Sequence, residues 1–389
     1  MPGTVLRAAG GQLGRLGRSA RLAWPVFPVF LAQRLLTVAY VYRDGGMAKL
    51  VERWDAGWYL QLAGGGYVYP HLAPDGRVLA SNLAYFPLFP WLVRLLGEVS
   101  PLTLRQALLV VSWFGGLLAV WAIFAVGHAL FGRGTGVALA ALWGMAPASL
   151  TLTMGYPEGM FTAAAAAALL CLVRRRPVGA GLWAVVAGLL RPSAVAVITM
   201  VGAYFLVELG RWLARRRRPP GASRSFPWAA LVGAALSPLG LAAFMTYVGV
   251  RTGEVFGYFT VQAQWGQSTA GFTEYVRGIE HGLFAATPAS LIPVTIAVCL
   301  GYLLLFCLVV LDRRLVWASV YAAALLLISL THVTFQHVYA RQLLPAFVLL
   351  VPLVRMRVPR AGAAAALTLG SVLMSWGSAQ FLLDPGAGL

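Results

Sequence analysis

Acidic residues are scarce in this chain: 12 Asp and Glu stand against 30 Lys and Arg in 389 positions, and charges of both signs make up only 11%. With 60% hydrophobic residues and a mean hydropathy of +0.77, so little charge excludes a water-soluble globular protein. The solvent for most of the chain is lipid. Cysteine is also rare. Cys171, Cys299 and Cys307 all lie inside apolar runs, without paired spacing or a nearby histidine, which excludes a disulfide framework and a cysteine-based zinc site. They read as small packing residues. No phosphate loop, dinucleotide glycine pattern or HExxH pair occurs, and no internal repeat argues for a transporter built from related halves.

The formal charge of +18 does not point to nucleic acid. A nucleic-acid binder gathers its basic residues on a water-facing surface, whereas these arginines fall in short bursts between long apolar runs. They read as topology signals. Arg7, Arg15, Arg18 and Arg21 precede a first apolar run that leads on without a small-residue cleavage site, as expected of a retained first transmembrane helix.

A spanning helix needs roughly 20 apolar residues. Runs of that order begin near Trp24, Leu104, Thr135, Met160, Pro227, Ser290, Leu315 and Ala361. Shorter runs cover Val178 to Leu190, Ser193 to Leu209 and Leu343 to Val354. They predict a single integral membrane domain over residues 1–389, an all-α polytopic bundle of about 11 transmembrane helices. Short cytoplasmic loops keep positive charge. A cytoplasmic N-terminus puts on that side Arg133, Arg174 to Arg176, Arg211, Arg215 to Arg218, Arg224, Arg313, Arg314, Arg355, Arg357 and Arg360. Of the acidic residues only Glu208 and Asp312 lie there; polar chemistry faces outward.

Two extracytoplasmic segments are long, residues 43–103 and 249–288, and both are aromatic-rich rather than linker-like. In the first, WDAGWYLQLAGGGY and LAYFPLFPWLVRLLGEV show the three- and four-residue apolar spacing of interfacial helices. Asp55 stands in RWDAGWY, just beyond the first span, between Arg53 and Trp54 on one side and Trp58 and Tyr59 on the other. Aromatic faces pack on sugar rings, and a carboxylate among them can take a proton from an acceptor hydroxyl; an aspartate between tryptophans can equally be an interfacial anchor.

Glu158 falls in MGYPEGMF between two apolar spans, either a functional charge near hydrocarbon or a solvated loop tip. Arg191, followed by helix-breaking Pro192, interrupts LWAVVAGLLRPSAVAVITM; it either faces a cavity, an anion or an acidic partner, or snorkels to the surface. Its planar fork of donors suits phosphate oxygens. Arg341 lies in THVTFQHVYARQLLPAF beside His332, His337 and Tyr339. Histidines five apart do not share a helical face, so no metal site is expected from them. The stretch FGYFTVQAQWGQ offers Gln262, Gln264, Trp265 and Gln267 to sugar hydroxyls, or is an ordinary amphipathic helix. An outward-facing transferase has no cytoplasmic nucleotide-sugar pool, so with no nucleotide motif present the expected donor is a sugar on a lipid phosphate. Arg191 and Arg341 are the expected phosphate ligands.

Together RWDAGWYLQLAGGGY, LAYFPLFPWLVRLLG, PASLTLTMGYPEGMF, GLLRPSAV, QAQWG and ARQLLPAF, in that order from about Arg53 to Phe347, resemble the PIG-V family of mannosyltransferases. The resemblance implies a GT-C fold with a catalytic acidic residue in the first outer loop. It also implies a polyprenyl-phosphate sugar donor, typically mannose, and inversion at the anomeric carbon. By this likeness Asp55 is the general base. Arg53, Trp54, Trp58, Tyr59, Tyr67, Tyr85, Tyr156, Glu158, Arg191, Gln264, Trp265, His337 and Arg341 are expected to bind substrate. Pro157 stands where the family commonly has serine or threonine, and Gln342 where an aromatic is usual. The implied partners are membrane lipids, the lipid-linked donor, and a glycolipid, glycan or protein acceptor, with no nucleic acid. A need for a divalent metal is left open. The competing readings are a transporter or flippase for a lipid-linked glycan, and a relative that has lost catalysis. High arginine and alanine with little lysine points to a GC-rich bacterium and hence to its plasma membrane, with an extracytoplasmic active site.

Overall fold

A computed structural model of the chain describes residues 20–70, 80–216, 225–265, 292–331, 338–356 and 359–384. No strand occurs among them. The helices are α1 (Val26–Arg43), α2 (Lys49–Glu52), α3 (Asp55–Gly65), α4 (Leu88–Val99), α5 (Leu104–Phe131), α6 (Arg133–Trp143), α7 (Glu158–Val173), α8 (Pro177–Gly188) and α9 (Ala194–Arg216). They continue as α10 (Trp228–Leu236), α11 (Leu239–Thr252), α12 (Gly257–Gln264), α13 (Ile292–Val310), α14 (Val316–Thr331), α15 (Val338–Leu343), α16 (Val351–Arg355) and α17 (Arg360–Leu383).

Among the described residues four stretches are long and apolar enough to cross a membrane: Leu104–Phe131, Ala194–Arg215, Trp228–Thr252 and Ala361–Leu383. Other apolar runs of the sequence form shorter helices, because proline and glycine interrupt them. Glu158–Val173 and Pro177–Gly188 are examples; within the long stretch Trp228–Thr252 a break at Ser237 and Pro238 divides α10 from α11.

Small residues set the helix packing. Without a hydrophobic drive between helices in lipid, close backbone approach supplies the contact. A Cβ on Gly159 at the start of α7 would lie 2.6 Å from the backbone nitrogen of Gly116 in α5, and one on Gly115 would meet Met160. Gly181 and Gly188 bring α8 equally close to Gly233 and Gly240. α5 itself starts cleanly: Thr103 and Gln106 form a reciprocal capping box.

Between α6 and α7 the chain is irregular from Gly144 to Pro157, with Ala148 left-handed at φ 64° and a single 3-10 turn over Ser149–Leu152. Irregular backbone within a membrane bundle must have its polar groups met by protein. Arg34 of α1 donates to the carbonyls of Gly144 and Ser149, Ser112 to those of Met154 and Tyr156, and Trp113 to that of Thr153. A second irregular stretch follows α15. Trp143 Nε1 donates to Leu344 O at 2.9 Å and the Tyr321 hydroxyl to Pro345 O at 3.1 Å.

Candidate active site

Four charged side chains from distant parts of the sequence meet in one place, at helix starts, in a helix break and in a short helix. Asp55 opens α3 and Glu158 opens α7, where a carboxylate complements the positive end of the helix. Arg191 lies in the break between α8 and α9, and Arg341 in α15. Arg341 donates through Nη1 to Asp55 Oδ2, and its Nε lies 3.7 Å from Glu158 Oε1. Arg191 Nη1 donates to the same Glu158 oxygen at 2.8 Å. The result is an alternating row, Asp55, Arg341, Glu158, Arg191, whose charges balance.

Exposure separates the members of the row. The Glu158, Arg191 and Arg341 side chains are 2%, 10% and 12% exposed, and that of Asp55 is 23%. Asp55 is therefore the more accessible of the two carboxylates. Glu158 is not a solvated loop tip; it is buried, and its Oε2 has no hydrogen-bond partner among the described residues.

Tyr85 donates to Asp55 Oδ1 at 3.1 Å. Burial first, then the negative charge of Asp55, pushes the Tyr85 hydroxyl well above the ordinary tyrosine range, so it stays a phenol and a donor. The backbone N–H of Asp55 donates to the Tyr156 hydroxyl at 3.2 Å, and the Arg341 guanidinium lies 5.4 Å from the centre of the Tyr156 ring.

Beside the carboxylate stands a group of aromatics. Trp58 stacks on Tyr85 at 6.1 Å and 12°, and Trp265 meets both edge-on at 5.0 and 5.4 Å. Trp265 Nε1 donates to Ser81 O at 3.0 Å and Gln264 Oε1 accepts from Ser81 N at 3.3 Å, so the end of α12 is pinned to the first loop. Tyr59 and Tyr67 sit behind this group. Tyr59 is buried edge-on to Tyr85, Phe89 and Tyr156, and the Tyr67 hydroxyl donates to Tyr85 O at 2.8 Å.

Arg53 and Trp54 are engaged elsewhere than sequence proximity to Asp55 suggests. The Arg53 guanidinium donates to the carbonyls of Leu382 and Asp384 at the end of α17, and the Trp54 ring lies 5.6 Å from Phe381. Likewise the two arginines expected to hold a phosphate are each paired with a carboxylate. His332, His337 and Gln267 lie outside the described residues. Among the described residues no group of three or more His, Cys, Asp or Glu is placed to hold a metal ion.

Several supporting residues were not singled out from sequence. Asn82 accepts from Val68 N and donates to Gly66 O, while Ser81 donates to Val68 O and accepts from Leu83 N; together they clamp the two arms of the first loop. Their mark in the sequence is a polar pair, SN, just ahead of an aromatic run. Arg34 could have been found as the charge inside the first apolar run.

Comparison of the sequence with family models and with curated protein sequences gives no match. Comparison of the fold does. ArnT from Cupriavidus metallidurans bound to undecaprenyl phosphate matches with a TM-score of 0.53 and 16% identity, over 88% of this chain and 62% of that one. The apo state of the same protein matches at 0.46, 16% identity, 86% and 62%. The oligosaccharyltransferase of Archaeoglobus fulgidus tethered with an acceptor peptide matches at 0.47, 16% identity, 94% and 56%. This chain thus spans about three fifths of the ArnT structure's length. The ArnT likeness shows the fold: an all-helical polytopic membrane bundle of GT-C type.

Proposed function

We propose that this chain is a membrane glycosyltransferase that moves a sugar, in the first instance mannose, from a polyprenyl phosphate to an acceptor hydroxyl on the extracytoplasmic side. The observation that carries the reading is the setting of Asp55. It is the most exposed carboxylate of the buried charge row, with one oxygen held by Tyr85, the other by Arg341, and aromatic faces beside it. A fold shared with a protein crystallised with undecaprenyl phosphate supports a lipid-phosphate donor.

In this mechanism the acceptor hydroxyl gives its proton to Asp55 as its oxygen bonds to the anomeric carbon. The bond from that carbon to the phosphate oxygen breaks, and its electron pair leaves on the polyprenyl phosphate. That leaving group is already a stable anion, so no second carboxylate has to protonate it as in a glycosidase. The single base suffices. Arg341, poised between Asp55 and Glu158, is the cation nearest the reacting carboxylate and the one assigned to the departing phosphate.

Asp55→Asn keeps size and shape and removes the base. Sugar transfer from radiolabelled polyprenyl-phosphate-mannose to envelope lipid, catalysed by the purified chain, should fall about 100- to 10,000-fold. Undiminished transfer by a folded variant would reject Asp55 as the base. Mass spectrometry of envelope lipids and glycoproteins from a deletion strain identifies the acceptor and tests the choice of mannose.

A further inference from the structure

We propose that Arg53 is a positioning residue rather than a substrate ligand, and that the end of α17 is the anchor through which it fixes the direction of Asp55. The inference rests on the reading of Asp55 as the base. Trp54 stands immediately before Asp55 with φ 53° and ψ −135°, a conformation that costs a bulky side chain about 1–3 kcal/mol and persists only where the surroundings over-determine it.

Those surroundings come from the other end of the chain. Arg53 donates through Nη1 to Leu382 O and through Nη2 to Asp384 O, committing both ends of its fork. Its Cζ lies 4.4 Å over the Trp54 ring, and the centre of that ring lies 5.6 Å from the centre of Phe381. Lys49 Nζ donates to Leu383 O at 3.0 Å, and the Leu383 side chain lies against Gly46, where an added Cβ would come within 2.3 Å of it. The last carbonyls of a helix lack partners in their own helix and carry its partial negative charge, which two cations from residues 49–53 meet here.

α17 is itself seated along α1. Ser371 Oγ accepts from Gln33 Nε2 at 3.0 Å, and Ser375 Oγ donates to Gln33 O at 3.2 Å. The helix end is thus fixed to the bundle, Arg53 and Trp54 are fixed to the helix end, and Asp55 follows them. The arginine of the RWD sequence acts on chemistry through backbone geometry.

Hydrogen–deuterium exchange on the full chain in detergent tests this without an activity assay. Arg53→Ala and Phe381→Ala should each speed exchange of the amides at residues 53–59 about tenfold, with α5 and α7 as protected as in the parent. In the transfer assay both should lower kcat about tenfold or more with the donor KM unchanged. Arg53→Lys, which keeps a cation able to reach one helix-end carbonyl, should recover part of the loss. Unchanged exchange at residues 53–59 in both variants overturns the inference, as does an Arg53→Ala variant with parental exchange and a raised donor KM, the signature of a phosphate ligand. Full activity in Asp55→Asn would reject the base alone, and the exchange measurement would still decide whether Arg53 holds this segment.

Discussion

Arg341 donates a hydrogen bond to Asp55, a residue 286 positions earlier, and the same guanidinium faces Glu158. A phosphate approaching Arg341 would therefore compete with the Asp55 carboxylate for one cation. In the proposed mechanism, donor binding that draws Arg341 toward phosphate leaves an Asp55 oxygen open to the acceptor hydroxyl. Arg341→Ala should accordingly raise the donor KM and lower kcat together, the KM by about 10- to 100-fold for the loss of a charge-assisted hydrogen bond. Arg341→Lys keeps the charge without the fork and should fall between. Titration of the donor against initial rate measures both, and a donor dependence identical to the parent's in the alanine variant would place the phosphate elsewhere.

Glu158 links this arrangement to Arg191. It meets Arg191 at 2.8 Å in a site where both are nearly buried, so removing it strands a cation away from water. Breaking a buried pair from one side typically costs about 3–5 kcal/mol. Glu158→Ala should lower the thermal unfolding midpoint in detergent markedly, and Glu158→Gln, which can still accept from Arg191, should lower it less. Equal midpoints for the parent and both variants would mean that the pair adds nothing to the fold.

Tyr85 offers a test with a pH axis. Its hydroxyl is held well above the ordinary tyrosine range, chiefly by burial, so it stays protonated across the pH range of a transfer assay. Tyr85→Phe keeps the stack on Trp58 and removes only the donor to Asp55 Oδ1. The expected result is a drop in kcat of about tenfold, worth one hydrogen bond to a charged group. Any alkaline limb of the pH–rate profile should stay where it was. A limb that disappears in Tyr85→Phe, measured between about pH 6 and 10, would show that the phenol titrates and would contradict its assignment as a permanent donor.

Hydropathy and charge were enough to read the helical membrane architecture, because the cost of unpaired backbone in lipid leaves few alternatives. The acidic and basic candidates Asp55, Glu158, Arg191 and Arg341 were legible one by one, since each stands out against apolar surroundings. Their partners were not. Nothing in the spacing of positions 55, 158, 191 and 341 says that the arginines meet the carboxylates rather than an incoming phosphate; that depends on how α3, α7 and α15 are placed around one another. The glycines that seat α7, and with it Glu158, on α5, namely Gly115, Gly116 and Gly159, are indistinguishable in sequence from other small residues of apolar helices, and only their backbone-to-backbone approach marks them. Arg53 misleads for a related reason: its neighbour in sequence is Asp55, while its guanidinium is bound to carbonyls some 330 positions away, at separations of 329 and 331.

Arg34 carries the last prediction. It is 2% exposed within α1 and donates to the carbonyls of Gly144 and Ser149 in the irregular segment ahead of α7. That segment brings Gly155 N–H to Leu50 O at 3.1 Å and the Tyr156 hydroxyl to the N–H of Asp55, so its conformation bears directly on the site. Arg34→Met preserves much of the volume and leaves two carbonyls without donors, at about 1–3 kcal/mol each. The variant should yield less monodisperse protein on size-exclusion chromatography and unfold at a lower temperature, and the fraction that folds should transfer sugar more slowly, since Tyr156 and Glu158 lose their support. Arg34→Lys, able to serve one carbonyl at a time, should restore part of the midpoint. An Arg34→Met protein with parental yield and midpoint would show that water or neighbouring donors satisfy those carbonyls, and that α1 does not organise the segment carrying Tyr156.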